Sequence, residues 1–289
     1  MNVQPKYSTV ERGCLYSTDY RIYFKENGRL ISPWHDVPLF TDKNKETYNM
    51  IVEIPRWTNA KMEIATKEPL SPIRQDVKHG LPRFVENIFP FNGYIWNYGA
   101  MPQTWESPNH VDENTHAKGD NDPIDVIEIG SKIHAIGDVV QVKVLGILAL
   151  IDEGETDWKV MTIDLSDPIT DSLESLEDVE KYRPGLIKAT LSWFRKYKIP
   201  AGKPPNKFGF DGNFKNAEYA KKIIHETHKF WRELIMGREK SELNTETHVP
   251  NAAVPASESR WKQIVDSTPK LGKPGIIPKS NEIWHFIPD

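Results

Sequence analysis

The chain has 289 residues, with 41 acidic and 37 basic side chains and a formal net charge of −4. This balance argues against a nucleic-acid binder that relies on a basic surface. The single cysteine, Cys14, cannot form an internal disulfide, and neither a signal-like apolar run near the start nor a run of about 20 apolar residues occurs, so we expect a cytoplasmic protein without a membrane partner.

The first two thirds of the chain read as β-structure. Residues 20–24 predict a short strand, and Asn27-Gly28 is a turn pair that favours a hairpin. Residues 48–54 alternate and stop at Pro55. In residues 61–65 charged and apolar side chains alternate, which predicts that Lys61 and Glu63 lie on one face of a strand.

A long β-branched and aliphatic run at residues 139–151 predicts a central strand with a bend at Gly146. Residues 158–165 alternate again. Several short strands joined by long loops predict a mainly β protein of the α+β class, with a small closed barrel rather than a doubly wound sheet.

The remainder of the chain is typical of helices. Pro184, at a first-turn position, predicts a helix to about residue 197, and Asn216 is expected to cap a longer helix that ends before Gly237. A third helix is expected from about residues 256–258 to just before Pro269, followed by an extended arm.

Negative charge is concentrated between residues 120 and 157, where nine acids and two lysines give a local formal charge of −7. Crowded carboxylates repel one another unless cations lie among them, and an oxygen-only set suits Mg²⁺. A solvated acidic turn is the alternative for residues 120–125. A calcium EF-hand is excluded because Ile124, Asp125 and Ser131 occupy positions that need other residues.

Basic and phenolic side chains recur near the β elements. Alone, each is explained as a solvated surface group, and Asp157 with Lys159 as a surface ion pair. Together they fit a highly charged oxyanion, which needs Arg/Lys donors as well as metal ions. No zinc site is indicated, because His225 and His228 are three residues apart and Cys14 has no cysteine partner.

Five segments of the chain match segments of a known protein family. They are, in chain order, residues 52–63, 93–100, the heptad Gly-Asp-Asn-Asp-Pro-Ile-Asp at 119–125, residues 152–159 and residues 193–200. From about residue 20 to residue 236 the chain resembles the soluble family I inorganic pyrophosphatases of the animal and fungal type. The stretch 80–83, Gly-Leu-Pro-Arg, departs from the commoner Gly-Lys-Leu-Arg.

The resemblance implies a five-stranded OB-like barrel with flanking helices. It also implies Mg²⁺-dependent hydrolysis of pyrophosphate to two orthophosphates by direct attack of water, with several Mg²⁺ ions per active site and no covalent intermediate. One domain over residues 1–289 is expected, with the barrel at about 48–165, a helical portion at about 170–267 and an arm at 268–289. A homodimer is implied, and Trp57 and Trp284 are candidate interface aromatics, with a place in the core as the alternative for either.

The same resemblance assigns roles to individual residues. Asp122 is expected to take the proton from the attacking water, and Tyr94 to adjust the site near it. The expected metal ligands are Asp120, Asp125, Asp152 and Asp157, with Glu63 acting through water. The expected phosphate-binding residues are Lys61, Arg83, Tyr98, Lys159, Tyr197 and Lys198. Glu53 and Glu155 are expected to support the metal ligands from behind.

Two other functions fit parts of the sequence. One is a metal-dependent hydrolase of another phosphate ester or nucleotide. The other is a non-catalytic OB-type module that binds single-stranded nucleic acid through aromatics. The concentrated carboxylates oppose the second function, because they would repel a phosphate backbone.

Overall fold

The computed structural model describes residues 6–44 and 46–288. Over these residues the chain is mainly β with a few helices. The strands are β1 (Tyr7–Arg12), β2 (Arg21–Glu26), β3 (Arg29–Ile31), β4 (Phe40–Asp42), β5 (Thr47–Ile54), β6 (Met62–Ile64), β7 (Ile73–Gln75), β8 (Val77–Lys78), β9 (Leu81–Pro82), β10 (Asn87–Ile88), β11 (Asn97–Ala100), β12 (Asp125–Glu128), β13 (Val139–Asp152), β14 (Glu155–Asp164), β15 (Lys207–Phe208), β16 (Lys215–Asn216) and β17 (Trp284–His285). The helices are α1 (Leu176–Tyr182), α2 (Leu186–Lys196), α3 (Ala217–Ile235) and α4 (Glu258–Ser267).

The hairpin of β13 and β14 is the longest paired element. Its two turn residues, Glu153 and Gly154, both have positive φ, 51° and 96°, as a tight two-residue turn between twisted strands requires. The pairing shifts register between Val144 and Gly146, where a Cβ on residue 146 would lie 2.7 Å from the Lys215 carbonyl oxygen. The predicted bend at Gly146 is therefore a bulge that lets β16 approach.

The main sheet has the order β15-β13-β14-β12-β11-β5-β4, and β5 also pairs with β13. Five strands, β13, β14, β12, β11 and β5, are thus joined in a ring of pairings. The pair of β12 and β14 is parallel and places Asp125 opposite Lys159. An acid from one strand and a base from another therefore meet at a fixed register.

Side chains from both faces of the main sheet are buried. In β5, Ile51 and Ile54 pack into one apolar cluster and Met50 and Val52 into another, so this strand is buried on both faces. Helix α3 covers the second cluster with Ala220. Helix α2 closes the first with its own aromatics, described below.

A smaller antiparallel sheet has the order β1-β2-β7-β6, with β3 paired to β2. The turn at Asn27 and Gly28 joins β2 to β3, as predicted. Strand β6 follows Lys61, whose Nζ lies 2.8 Å from Glu63 Oε2, so these side chains share one face.

Two helix predictions differ from the structure. Helix α2 begins at Leu186 and not at Pro184, because Gly185 adopts φ 82° and interrupts the helical path. Helix α1 was not predicted, although Ser175 and Asp178 form a capping box at its start. The cap at Asn216, which accepts from the Tyr219 N–H, and the end of α4 before Pro269 are confirmed.

The C-terminal arm lies along the beginning of the chain. The Gly272 N–H donates to the Gly13 carbonyl at 3.0 Å, and the Gly275 N–H donates to the Leu15 carbonyl at 2.7 Å. Strand β17 pairs in parallel with β10. Trp57 and Trp284 are 55% and 40% exposed. No helix in the described ranges has the length and apolarity needed to cross a bilayer.

Candidate active site

A single cavity of about 370 Å³ is lined by all of the residues singled out in the sequence. They are Glu53, Lys61, Glu63, Arg83, Tyr94, Tyr98, Asp120, Asp122, Asp125, Asp152, Glu155, Asp157, Lys159, Tyr197 and Lys198. The β13–β14 hairpin, the loop before β12, strand β6 and the end of α2 each contribute. Segments more than one hundred residues apart therefore meet in one place.

The acidic loop before β12 is held by a neighbouring segment. The Glu106 N–H donates to the Asp122 carbonyl and the Asn121 N–H to the Glu106 carbonyl, both at 2.9 Å. Gly119 leaves no room for a side chain, since a Cβ there would lie 2.4 Å from the Glu106 carbonyl oxygen. The Asp122 N–H also donates to Asp120 Oδ1 at 3.0 Å. These contacts fix both carboxyl groups relative to the sheet.

Glu106 is a site residue that the sequence reasoning missed. Its carboxyl oxygens and those of Asp120 and Asp157 offer ligand atoms that all lie within 4.8 Å of one another. Glu106 Oε1 accepts from the Trp158 N–H at 2.9 Å, whereas Oε2 is buried without a hydrogen-bond partner. No motif marks Glu106, because only the contact between distant loops brings it to the cluster.

The crowding of these carboxyl groups raises their pKa values. Burial and the charges of neighbouring acids raise the pKa of Asp120 and of Glu106 well above the usual range. Burial raises the pKa of Asp157 to about 7, although Lys159 opposes the shift. Withdrawal from bulk water and the charge of Glu63 raise the pKa of Asp122 to about 6. The cavity therefore carries more carboxylates than its own cations neutralise.

Lys159 lies deep in the cavity and joins the acids of two strands. Its Nζ donates to Asp125 and to Asp157 and lies 2.9 Å from the Tyr98 hydroxyl. Burial opposes its charge, but Asp125 and Asp157 outweigh that effect and raise the pKa of Lys159 well above its usual range. At neutral pH Lys159 is a fixed cation.

A second contact of the same kind lies at the tip of the hairpin. Lys198 Nζ donates to Asp152, and the Tyr197 hydroxyl donates to the same carboxyl group at 3.1 Å. Burial, followed by the charge of Asp152, raises the pKa of Tyr197 well above its usual range. Tyr197 is therefore a hydroxyl donor, not a phenolate.

Arg83 and Lys61 form the opposite wall. The Lys61 N–H donates to the Arg83 carbonyl at 3.1 Å, and Arg83 Nη1 donates to Asp76 Oδ2 at 2.9 Å. The sequence Gly-Leu-Pro-Arg at residues 80–83 differs from the commoner Gly-Lys-Leu-Arg. The short pair of β8 and β9 accommodates it and brings Arg83 back to the cavity. Asp76 was not predicted, and it orients the guanidinium.

Aromatic rings form the floor beside these groups. Tyr94 is buried between Tyr98, at a centroid distance of 5.1 Å, and Trp193 of α2, at 4.9 Å. Burial raises the pKa of Tyr94 to about 12, which keeps its hydroxyl protonated. The rings exclude water and strengthen nearby electrostatic interactions.

The two residues expected to lie behind the metal ligands differ in environment. Glu53 is buried, and its Oε1 accepts from the Ile64 N–H at 2.7 Å, so it ties β5 to β6. Burial raises the pKa of Glu53 well above its usual range. Glu155 is exposed at the start of β14.

The donor set fits a hard divalent cation. It consists of carboxylate oxygens, with one from Glu106 beside those of Asp120 and Asp157, and has no cysteine or histidine among its ligands. Oxygen ligands of this kind favour Mg²⁺, Mn²⁺ or Ca²⁺ over softer metals. The lysines, arginine and tyrosines on the other walls are donors for phosphate oxygens.

Comparison with known proteins agrees with this geometry. A family profile described as inorganic pyrophosphatase matches residues 50–232. Inorganic pyrophosphatase 1 of Caenorhabditis elegans is 59% identical over 281 residues, which cover 97% of this chain and 66% of that relative.

Two solved structures are similar in fold. Inorganic pyrophosphatase from Schistosoma japonicum has a TM-score of 0.93 and 49% identity, covering 97% of this chain and 100% of that one. A truncated Trypanosoma cruzi vacuolar soluble pyrophosphatase in complex with PPi has a TM-score of 0.74 and 47% identity, covering 80% of this chain and 92% of that one.

Proposed function

Since this chain belongs to the inorganic pyrophosphatase family and is an enzyme of the hydrolase class, we propose that it hydrolyses pyrophosphate to two orthophosphates with Mg²⁺. The observation that carries the proposal is the meeting of an oxygen-only acidic cluster and phosphate-type donors in one cavity. Pyrophosphate is present in the similar Trypanosoma cruzi structure, which supports the choice of substrate.

Asp120, Asp125 and Asp157 would hold one Mg²⁺, and Asp152 would help to hold another. Glu63 would act through water, and Glu106 would join this set because one of its carboxyl oxygens lies in the same cluster as those of Asp120 and Asp157. Bound Mg²⁺ ions supply an acidified water and neutralise charge on the phosphate oxygens. Glu53 and Glu155 would support the ligands, the former by fixing the edge of β6.

Asp122 is the proposed general base. Its carboxyl group lies at the cavity surface, where the Thr66 hydroxyl donates to Oδ1 at 3.3 Å. A pKa of about 6 leaves it mostly ionised at neutral pH while still able to hold a proton. The buried hydroxyl of Tyr94 would orient groups near this base.

The contacts of two lysines indicate how the ion pairs in the cavity would change when a metal binds. Lys159 is held by Asp125 and Asp157, and Lys198 by Asp152. With Mg²⁺ held by those carboxylates, the two ammonium groups would be available to donate to phosphate. Lys61, Arg83, Tyr98 and Tyr197 would complete the phosphate site. Catalysis then rests on positioning and electrostatic stabilisation, without a covalent intermediate.

Other features of the proposal concern architecture and assembly. We propose that the ring of five paired strands is a closed OB-like barrel and that residues 1–289 form one domain, with core, helical portion and arm as expected above. The exposed Trp57 and Trp284 support a homodimer interface. The single cysteine supports a cytoplasmic location.

The test is phosphate release by the full chain from pyrophosphate, ATP and a phosphomonoester, each with a Mg²⁺ titration. We expect turnover of pyrophosphate only with the metal, at a rate far above that of the other two substrates. Equal or faster hydrolysis of ATP or the monoester would replace the proposal with a broader phosphatase. Salt-sensitive oligonucleotide binding without any hydrolysis would replace it with a nucleic-acid module.

A further inference from the structure

A second charged region lies on the last three turns of α3. A groove of about 520 Å³ is formed by this part of the helix and by the segment around β4, and it shares no lining residue with the active cavity. Six basic side chains line it: Lys43, His225, His228, Lys229, Arg232 and Arg238. The chain as a whole has a net charge of −4, so this grouping runs against the general balance.

Few carboxylates compensate these charges. Glu233 is paired with Arg238 at 3.0 Å, and Glu46 is paired with Lys221 at 2.8 Å and lies 3.9 Å from His225. Within residues 6–44 and 46–288, no ion pair is formed by three of the basic residues, Lys43, Lys229 and Arg232. Among the residues that the structure describes, these three cations therefore have no carboxylate within ion-pair distance.

Helix chemistry explains only part of the grouping. Cations in the last turn of a helix are stabilised by its dipole, which accounts for Arg232 but not for Arg238, which lies beyond the end of α3. The dipole effect falls off within one turn, so it does not account for His225, which lies three turns before the end of α3. It accounts still less for Lys43, which belongs to another segment.

The imidazole of His228 lies among these charges and offers a probe of the groove. Its Nδ1–H donates to the Gln103 carbonyl at 2.6 Å, and its ring stacks on Trp231 at 5.2 Å, so the imidazole is held in place. Burial lowers the pKa of His228, the hydrogen bond to the Gln103 carbonyl opposes that shift, and the charges of Arg232, His225 and Lys43 lower the pKa further by smaller amounts. An anion in the groove would reverse this effect.

We propose that this groove binds an oligophosphate, a small molecule with two or more linked phosphates, through Lys43, Lys229 and Arg232. Three cations from two segments match a chain of phosphates better than a single monovalent anion, and Arg232 offers a bidentate donor. The volume lies within the range of small-molecule sites. Phe40 lines the same groove and gives a nucleoside a ring to contact.

The experiment follows the ring signals of His225 and His228 by NMR in the full chain. Inorganic tripolyphosphate, ATP and adenosine are added separately, with EDTA present so that metal-dependent binding in the active cavity does not contribute. We expect saturable shifts with tripolyphosphate and with ATP, none with adenosine alone, and an increase in the pKa of His228 in the bound state. Tighter binding of ATP than of tripolyphosphate would identify a nucleotide, and equal binding a free oligophosphate.

Substitutions distinguish a specific oligophosphate site from nonspecific electrostatic attraction. The triple variant Lys43→Ala/Lys229→Ala/Arg232→Ala should weaken tripolyphosphate binding by about tenfold or more, since each charged donor contributes a sizeable share of binding. Lys222→Ala removes another exposed lysine of α3 and should leave binding unchanged. Lys43→Ala alone leaves the helix intact and should still weaken binding measurably.

Several outcomes would overturn the proposal. The first is the absence of saturable shifts at His225 and His228, and the second is equal weakening by the triple variant and Lys222→Ala. The third is binding of an acidic peptide or an oligonucleotide at these rings when tripolyphosphate fails, which would assign the groove to a macromolecule. None of these results depends on whether the active cavity hydrolyses pyrophosphate.

Discussion

The active cavity and the groove beside α3 both concentrate charged side chains, but the excess charge has opposite sign in the two regions. In the cavity, carboxylates outnumber the buried lysines, which pair with three of them. In the groove, cations lie on an accessible helix face with few carboxylates near them. The surplus is negative in one and positive in the other, which predicts a metal cation for the first and an anion for the second. Burial differs too, so changes should have large effects in the cavity and small effects in the groove.

The largest expected effect tests the chemical role of the cavity. Asp122→Asn keeps the size of the side chain but removes the proton acceptor, and we expect kcat for pyrophosphate to fall about 10²–10⁴-fold. Phosphate release at saturating Mg²⁺ measures it, and circular dichroism checks the fold. The control, Asp266→Asn on the exposed side of α4, should retain full activity. Wild-type turnover in Asp122→Asn would remove this residue from the role of base.

The next effect tests whether Lys159 stands in for a metal cation. Lys159→Met leaves Asp125 and Asp157 without their shared partner, and we expect the free energy of unfolding without metal to fall by about 3 kcal/mol. Added Mg²⁺ should restore part of that loss, because it neutralises the same carboxylates. Chemical denaturation with and without Mg²⁺ measures both numbers. Equal destabilisation in both conditions would contradict the shared role.

Glu106→Gln tests the residue that completes the acidic cluster. The amide still accepts from the Trp158 N–H but removes a negative charge, so we expect Mg²⁺ to bind about 10–100-fold more weakly. Calorimetric titration of Mg²⁺ measures the change. The exposed Glu242→Gln serves as the control and should bind as the wild type does. An unchanged affinity in Glu106→Gln would limit this residue to holding the loop.

The pH dependence of stability and of metal binding tests whether the cavity has an excess of carboxylates. Asp122 and Asp157 have folded pKa values of about 6 and about 7, above the ordinary 3.8, so without metal the folded state holds extra protons between these limits. Stability without metal should therefore fall as pH rises through this window. Mg²⁺ must displace those protons, so its affinity should be about tenfold higher at pH 7.5 than at pH 5.5. Calorimetry at fixed ionic strength decides this, and a pH-independent affinity would contradict it.

The smallest effect belongs to the groove. Lys229 lies four residues after His225 and three before Arg232, so Lys229→Gln should relieve repulsion and stabilise the protein by about 0.3 kcal/mol. Thermal unfolding at low salt measures the shift, which should shrink at high salt. A clear loss of stability would mean that Lys229 has a stabilising partner and that the comparison with the cavity fails.

Local sequence patterns were sufficient for much of the main sheet. The aliphatic run of β13 and the alternation in β14 each predicted a strand, whereas the turn at Glu153 and Gly154, which places Asp152, Asp157 and Lys159 near one end of a hairpin, was not predicted. The two-residue period also put Lys61 and Glu63 on one face, as the 2.8 Å contact confirms. Signals that span few residues fail at boundaries, and the start of α2 was misplaced because Gly185 breaks the helix after Pro184.

The sequence by itself, through its resemblance to a known family, identified the acids, bases and phenols that line the cavity, but it identified neither Glu106 nor Asp76. Only the tertiary structure determined which charged side chains lie close enough to neutralise one another. Glu106 joins Asp120 and Asp157 only through the pairing of two distant loops, and Lys43 meets His228 only where β4 packs near α3. Charge interactions depend on distance and burial, and contacts between remote segments set both of these.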